Sequence, residues 1–269
     1  MSIANMAATK AAGAKLAKGL ETAPKILTID IETSPNLAYV WGLWDQNVSL
    51  SQIKETGEVI SFAAKWYGDK EIMFFSNHHD GHETMIAAAH ELMNDAEVIV
   101  HFNGKRFDIP WLHREFALAG YAPPSPHKDV DLMTTAKARF KFASNKLDHL
   151  SQQLGLGSKT SHTGFDLWLG CMAGDDKAWT LMRKYNRQDV ALTEKLYDRL
   201  RPWIKGHPHI GFYADRDQRT CDKCGSTDLR PDGTYTAVVI KYNQYQCNNC
   251  QGWVRGGVHS RQAVTRGVS

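Results

Sequence analysis

The chain is predicted to be an α/β protein: a mixed sheet covered by helices, followed by a small cysteine-bearing β module. Three features of the sequence predict this. Strand-like apolar runs crowd the first part of the chain, before any long helical pattern. Strand and helix patterns then alternate, and helical periodicity continues to about Trp203. Two C-x-x-C pairs lie beyond a loose stretch that contains Pro202, Gly206, Pro208 and Gly211. Antiparallel strands followed by alternating elements build a sheet of mixed direction, and such a sheet needs helices to bury its faces.

The elements follow in order. Residues 1–23 are rich in Ala and Lys and end at the helix-breaking Pro24, which predicts a flexible basic tail. Residues 26–31, 37–44, 58–67 and 71–76 read as strands, residues 82–94 as a helix and 98–102 as a short buried strand. A helix over 110–119 and a turn at Pro123, Pro124 and Pro126 precede a last strand over 129–133. Residues 24–203 therefore form one catalytic-sized domain and 204–219 a linker. The cysteine module spans 220–256, and a polar tail closes the chain at 257–269.

Charge is distributed unevenly. Residues 1–20 carry three Lys and no acid, residues 21–200 carry 19 basic and 24 acidic groups, and residues 201–269 carry 10 and 5. An acidic middle between basic ends suits a carboxylate centre flanked by segments that grip a polyanion, though solvated surface charge has the same composition. No apolar run approaches membrane-spanning length and no signal-type core follows the start. A cytoplasmic protein without membrane contact is expected.

Four acids and a tyrosine carry the chemistry. Asp30 and Glu32 stand two apart at the end of an apolar run, so both side chains leave one face of a strand. Asp108 follows the strand over 98–102 through the turn Asn103-Gly104-Lys105-Arg106; taken alone, it suits a helix N-cap before Pro110. Tyr185 and Asp189 are four apart in a helical segment and share a face. Carboxylates gathered from separate segments repel unless a cation lies between them, and an all-oxygen donor set selects a hard ion such as Mg²⁺ or Mn²⁺.

In this order, D-I-E-T at 30–33, N-x-x-x-F-D at 103–108 and Y-x-x-x-D at 185–189 resemble the three motifs of the DEDD (DnaQ-like) exonuclease superfamily. The match is to its tyrosine branch, which includes the proofreading domains of family A and family B DNA polymerases. The likeness covers about residues 24–200, and residues 145–156 resemble the helix before the third motif. It implies an RNase H-like fold, with a mixed five-stranded sheet flanked by helices. It also implies that Asp30, Glu32, Asp108 and Asp189 hold two Mg²⁺ or Mn²⁺ ions and that Tyr185 orients the attacking water. Thr33 and Asn103 would then contact substrate. The implied activity is 3′–5′ hydrolysis of nucleic acid, DNA favoured, releasing nucleoside 5′-monophosphates. The compact arrangement is similar to stand-alone phage-type exonucleases. A structure-specific endonuclease with the same site, or an inactive nucleic-acid-binding protein, are the alternatives.

Tyr39, Trp41 and Trp44 follow the first motif and could stack on bases, but the alternation of Tyr39 and Trp41 equally suits a buried strand face, and at least one is expected in the core. Lys137, Arg139, Lys141 and Lys146 interleave with aromatics in a pattern that fits a phosphate-tracking edge or a solvated face. His78, His79 and His82 are expected on the surface, and Cys171 in the core.

Cys221, Cys224, Cys247 and Cys250 form two C-x-x-C knuckles separated by a hairpin-like alternation over 235–245. They resemble a zinc ribbon with one structural Zn²⁺ in a closed Cys₄ site. Four thiolates leave no open position for catalysis. Arg216, Arg219, Arg230, Lys241 and Arg255 give the module a basic character. It would bind nucleic acid, dock a replication or repair protein, or serve only as a folding cap.

Overall fold

The computed structural model describes residues 24–213, 218–259 and 263. The tails expected over 1–23 and 257–269 lie wholly or mostly outside them. The chain packs as two units that divide between Leu196 and Tyr197.

The first unit is built on five strands: β1 (Ile26–Thr33), β4 (Val59–Trp66), β5 (Met73–Ser76), β6 (Val98–His101) and β7 (Lys128–Asp131), in the order β5-β4-β1-β6-β7. β1 runs antiparallel to β4 and parallel to β6, and β6 runs parallel to β7. A two-residue strand β2 (Leu37–Ala38) pairs with β3 (Ile53–Glu55) beside the sheet. The helices are α1 (Asn77–Asp80), α2 (His82–Asp95), α3 (Asp108–Leu118), α4 (Leu132–Arg139), α5 (Leu147–Gln153), α6 (Phe165–Met172) and α7 (Asp176–Leu200). This is the mixed sheet flanked by helices that the sequence predicts, with the five strands that the resemblance implies.

Strand alternation decides what β1 does. Leu27, Ile29 and Ile31 pack into a core with Phe62, with Met85, Ile86 and Met93 of α2, and with Leu112 and Phe116 of α3. Each such side chain contributes about 1.5–3 kcal/mol through burial. The intervening residues, including Asp30 and Glu32, are thereby turned to the opposite face. There Ile60 of β4 packs with Leu167 and Cys171 of α6 and with Trp179, Met182 and Tyr185 of α7. Cys171 is buried, as expected.

Two expectations are corrected. The run over 37–44 is a strand only at Leu37–Ala38. Beyond it the chain is irregular, and Tyr39, Trp41 and Trp44 are 69%, 100% and 84% exposed, so none of the three is in the core. Alternation alone could not supply the sheet surface those rings would need. His82 is partly buried and faces the Glu115 carboxylate at 3.3 Å, whereas His78 and His79 are exposed.

In the second unit β8 (Leu229–Ala237), β9 (Ile240–Cys247) and β10 (Trp253–Val258) form an antiparallel sheet in the order β10-β9-β8. The β8–β9 hairpin is the alternating stretch between the two cysteine pairs. Tyr197 hydrogen-bonds His207 at 2.7 Å, so part of the stretch read as a linker is packed.

Candidate active site and cysteine centre

β1 delivers Asp30 and Glu32 to the face covered by α7, and α7 returns Asp189 one turn after Tyr185. Carboxylate oxygens of Asp30, Glu32 and Asp189 lie within 4.8 Å of one another. Asp108 stands outside that trio but touches the same strand: its Oδ1 accepts the amide of Ile31, between the two β1 acids, at 3.0 Å. It is the first residue of α3 and does not cap it; Phe107 holds the N-cap position. The expectation of a cap at Asp108 fails because the carboxylate is spent across the sheet, on a partner 77 residues away.

Asn103 takes a left-handed conformation (φ 67°), and its amide donates to Asp131 Oδ1 at 3.2 Å. The same oxygen caps α4 through Thr134. Gly104 follows where any Cβ would come within 2.5 Å of the His101 ring, so the turn before α3 admits no larger residue. Thr33 ends β1 at a register shift opposite Val59. Both lie on segments that lead from the acids, and neither belongs to the trio.

Two residues of the site carry no signal in the three motifs. Lys159, from the loop between α5 and α6, pairs with Asp189 Oδ2 and donates to the Tyr185 hydroxyl at 3.1 Å. Asn186 donates to Asp30 Oδ2 at 2.7 Å and to the Asp30 carbonyl at 3.1 Å, while its own Oδ1 meets the Ser61 hydroxyl at 3.5 Å. Asn186 adjoins Tyr185 and is fully buried, so a polar residue within the inward arc of α7 was its one available clue. Lys159 sits in the polar segment GLGSKTSHTG, which has no period to read.

The electrostatics are unfavourable as they stand. Burial, then the neighbouring Asp108, Asp189 and Glu32, pushes the Asp30 carboxyl well above the usual range. Burial and Asp189 push Glu32 up to about 8. Burial raises Asp108 to about 6 against the opposing Ile31 amide. Asp189 is raised by burial despite Lys159. Among the described residues Asp30, Glu32 and Asp189 thus share the Lys159 ammonium, and Asp189 Oδ1 is buried with no hydrogen-bond partner. An all-carboxylate donor set with an orphaned oxygen fits a hard divalent cation.

Comparison with known proteins agrees with this architecture. The family model described as RNase_H superfamily matches residues 27–201. The chain belongs to the RNase_H superfamily. Among solved structures, the family B DNA polymerase from the hyperthermophilic archaeon Pyrobaculum calidifontis is similar in fold to this RNase_H superfamily member. The TM-score is 0.50 at 17% identity, over 66% of this chain and 25% of the polymerase chain. The chain thus spans about a quarter of that polymerase's length. No curated protein sequence matches it.

The second unit of this superfamily member holds its own centre. The sulfurs of Cys221, Cys224, Cys247 and Cys250 all lie within 4.8 Å of one another, a set that could hold zinc. Cys221 and Cys250 are 3.6 Å apart and Cys224 and Cys247 3.7 Å. A tetrahedron with Zn–S of about 2.3 Å has edges of about 3.8 Å, whereas a disulfide would need about 2.0 Å. Each knuckle is closed by a left-handed residue whose amide returns to the first cysteine carbonyl. Gly225 (φ 72°) bonds Cys221 and Gln251 (φ 63°) bonds Cys247, each at 2.9 Å.

Proposed function

We propose that the chain is a divalent-metal-dependent 3′–5′ exonuclease that removes nucleoside 5′-monophosphates from nucleic acid, DNA favoured. One observation carries this reading: Asp30, Glu32 and Asp189, 159 residues apart in sequence at their extremes, converge within 4.8 Å beside Asp108. These four would hold two Mg²⁺ or Mn²⁺ ions. Ions bound there supply the Lewis acidity and positive charge that phosphodiester hydrolysis requires.

The protein's own groups then have distinct tasks. Burial, Asp189 and Glu32 raise the Tyr185 hydroxyl above its ordinary range, so it stays protonated at neutral pH. Lys159 donates to the tyrosine oxygen and the hydroxyl hydrogen-bonds Asp189; with that acid engaged by a cation, the phenolic hydrogen would orient a water or a phosphate oxygen. Tyr185 is thus a positioning donor and not a base. Asn186 holds Asp30 in its rotamer. Thr33 and Asn103 would contact the terminal nucleotide, as the likeness to the tyrosine branch implies. The polarity and the preference for DNA rest on the likeness to the tyrosine branch, whereas the domain limits 24–203 and 220–256 rest on the loosened stretch after Pro202 and on the cysteine spacing. The second unit is read as a zinc ribbon with one structural Zn²⁺, serving a nucleic-acid or protein partner.

The test uses a 5′-labelled single strand with Mg²⁺. Wild type should yield a ladder shortening from the 3′ end, and Asp189→Ala should yield none. Equal activity of the variant overturns the assignment. Cutting of a circular single strand would favour the endonuclease instead, since an exonuclease cannot begin on a circle.

A further inference from the structure

Helix α7 carries four acidic residues, and every one is engaged: Asp176 with His78, Asp189 with Lys159, Glu194 with Lys65 and Asp198 with Arg201. Arg183, Lys184 and Arg187 on the same helix have no carboxylate partner among the described residues. They lie three and four apart, where like charges on a helix repel. With Ile72, Thr180 and Gln188 they line an open groove of about 330 Å³.

The groove lies on the outward face of α7, away from buried Tyr185 and Asp189, and one flank meets the loop that carries Lys159. Across the sheet, Asp30 pairs with Ala63 and Ala63 with Phe74. Phe74 therefore stands two strand spacings from Asp30, about 10 Å, with buried Ala63 between them. The Arg183 guanidinium lies over the Phe74 ring, 5.3 Å from its centroid. On the other flank Gln188 donates to the Ser158 carbonyl at 3.1 Å, next to the Lys159 that contacts Tyr185 and Asp189. Gln188 thus ties the cation-lined groove to the loop whose Lys159 reaches Tyr185 and Asp189.

We infer that this groove binds the phosphate backbone of a single nucleic-acid strand whose end lies at the acidic site, a deepening that rests on the nuclease reading above. Arg183 to Arg187 spans about 6 Å of helix. That suits neighbouring phosphates of one strand, and it is too short for two backbones about 12 Å apart across a major groove. The polyanion supplies the negative charge that α7 lacks on this face, and its affinity must therefore fall with salt.

The experiment compares full-length wild type with K184E/R187E and the neutral K184Q/R187Q, leaving Arg183 on Phe74. A fluorescein-labelled strand of about 16 nucleotides is titrated by anisotropy in EDTA, where no turnover is needed. The same strand and a dinucleotide are then hydrolysed with Mg²⁺. Affinity for the long strand should fall about tenfold or more in K184E/R187E. The slope of log affinity against log salt should become shallower by about 1.4, two contacts at about 0.7 each. The preference for the long strand over the dinucleotide should shrink in both variants. Wild-type affinity, salt slope and length preference in both variants would overturn the groove. Absence of hydrolysis by wild type, with the binding loss still present, would overturn the nuclease reading and keep the groove.

Discussion

Lys159 Nζ pairs with Asp189 Oδ2 and leaves Asp189 Oδ1 buried without a partner. The last acid of the third motif is therefore half satisfied by a loop cation that none of the motifs contains. Burial pulls the Lys159 pKa down, and Asp189 and Tyr185 more than reverse this, so the ammonium stays charged throughout the neutral range. Its charge competes with any cation that the carboxylates accept.

Lys159→Met tests that competition. The substitution keeps the aliphatic stem and removes the ammonium that acts on Asp30, Glu32 and Asp189. Without metal the first unit should lose about 2 kcal/mol, between the worth of an exposed pair and that of a buried one. For a unit of this size that is about 4–8 °C in Tm. The gain in Tm from added Mg²⁺ should be larger than in wild type. Thermal melts with EDTA and with Mg²⁺ read both changes, and an unchanged Mg²⁺ increment would refute the competition.

The raised carboxylates fix the sign of a pH effect. Glu32 titrates near 8 in the folded chain against an ordinary value of 4.5, and Asp108 near 6 against 3.8. Between the ordinary and the folded values the folded state binds more protons than the unfolded state. Its stability is then present at low pH and lost as pH rises through that window. Metal-free protein should melt higher at pH 5 than at pH 8, with acid unfolding at still lower pH a separate matter. Mg²⁺, which replaces those protons, should raise Tm more at pH 8 than at pH 5. Equal increments would mean that the carboxylates are not the sites of binding.

What was legible in the sequence followed period and spacing. Alternation in 26–33 was enough to assign Asp30 and Glu32 to one face, and the four-residue step from Tyr185 to Asp189 was enough to align them on α7. The aromatic alternation at Tyr39 and Trp41 misled because pattern shows which residues share a face without showing that another surface covers it. Asp108 misled in the opposite sense. Its local context suits a cap, and only the β1–β6 adjacency brings Ile31 N–H within reach. Lys159 was invisible, since its position depends on how the α5–α6 connection crosses α7.

Asn186 is a positioning residue for Asp30, and its removal should act through metal. Asn186→Ala frees both the Asp30 carboxylate and its carbonyl from their donor. Groups that orient a metal ligand typically account for about 10–100-fold in affinity or activity. The Mg²⁺ concentration for half-maximal activity should therefore rise by about tenfold or more, with kcat recovering in part at saturating Mg²⁺. A merely structural role would lower Tm and leave the Mg²⁺ requirement unmoved.

The cysteine centre makes a prediction independent of the acids. Its sulfurs already stand at the edge lengths of a zinc tetrahedron, and among the described residues the unit around them has three strands and few buried apolar side chains: Tyr245 and Ile204 besides the cysteines and the end of α7. Burial on that scale is too small to order such a module, so the ion must supply most of its stability. Purified protein should contain one zinc per chain. Cys247→Ser should abolish that zinc and render residues 219–258 sensitive to protease, because Cys247 ends β9 and its carbonyl accepts Gln251 N–H. Proteolysis mapped by mass spectrometry, with and without a zinc-selective chelator, checks this. A zinc-free wild type that resists cleavage across 219–258 would show that the hairpin folds on its own packing.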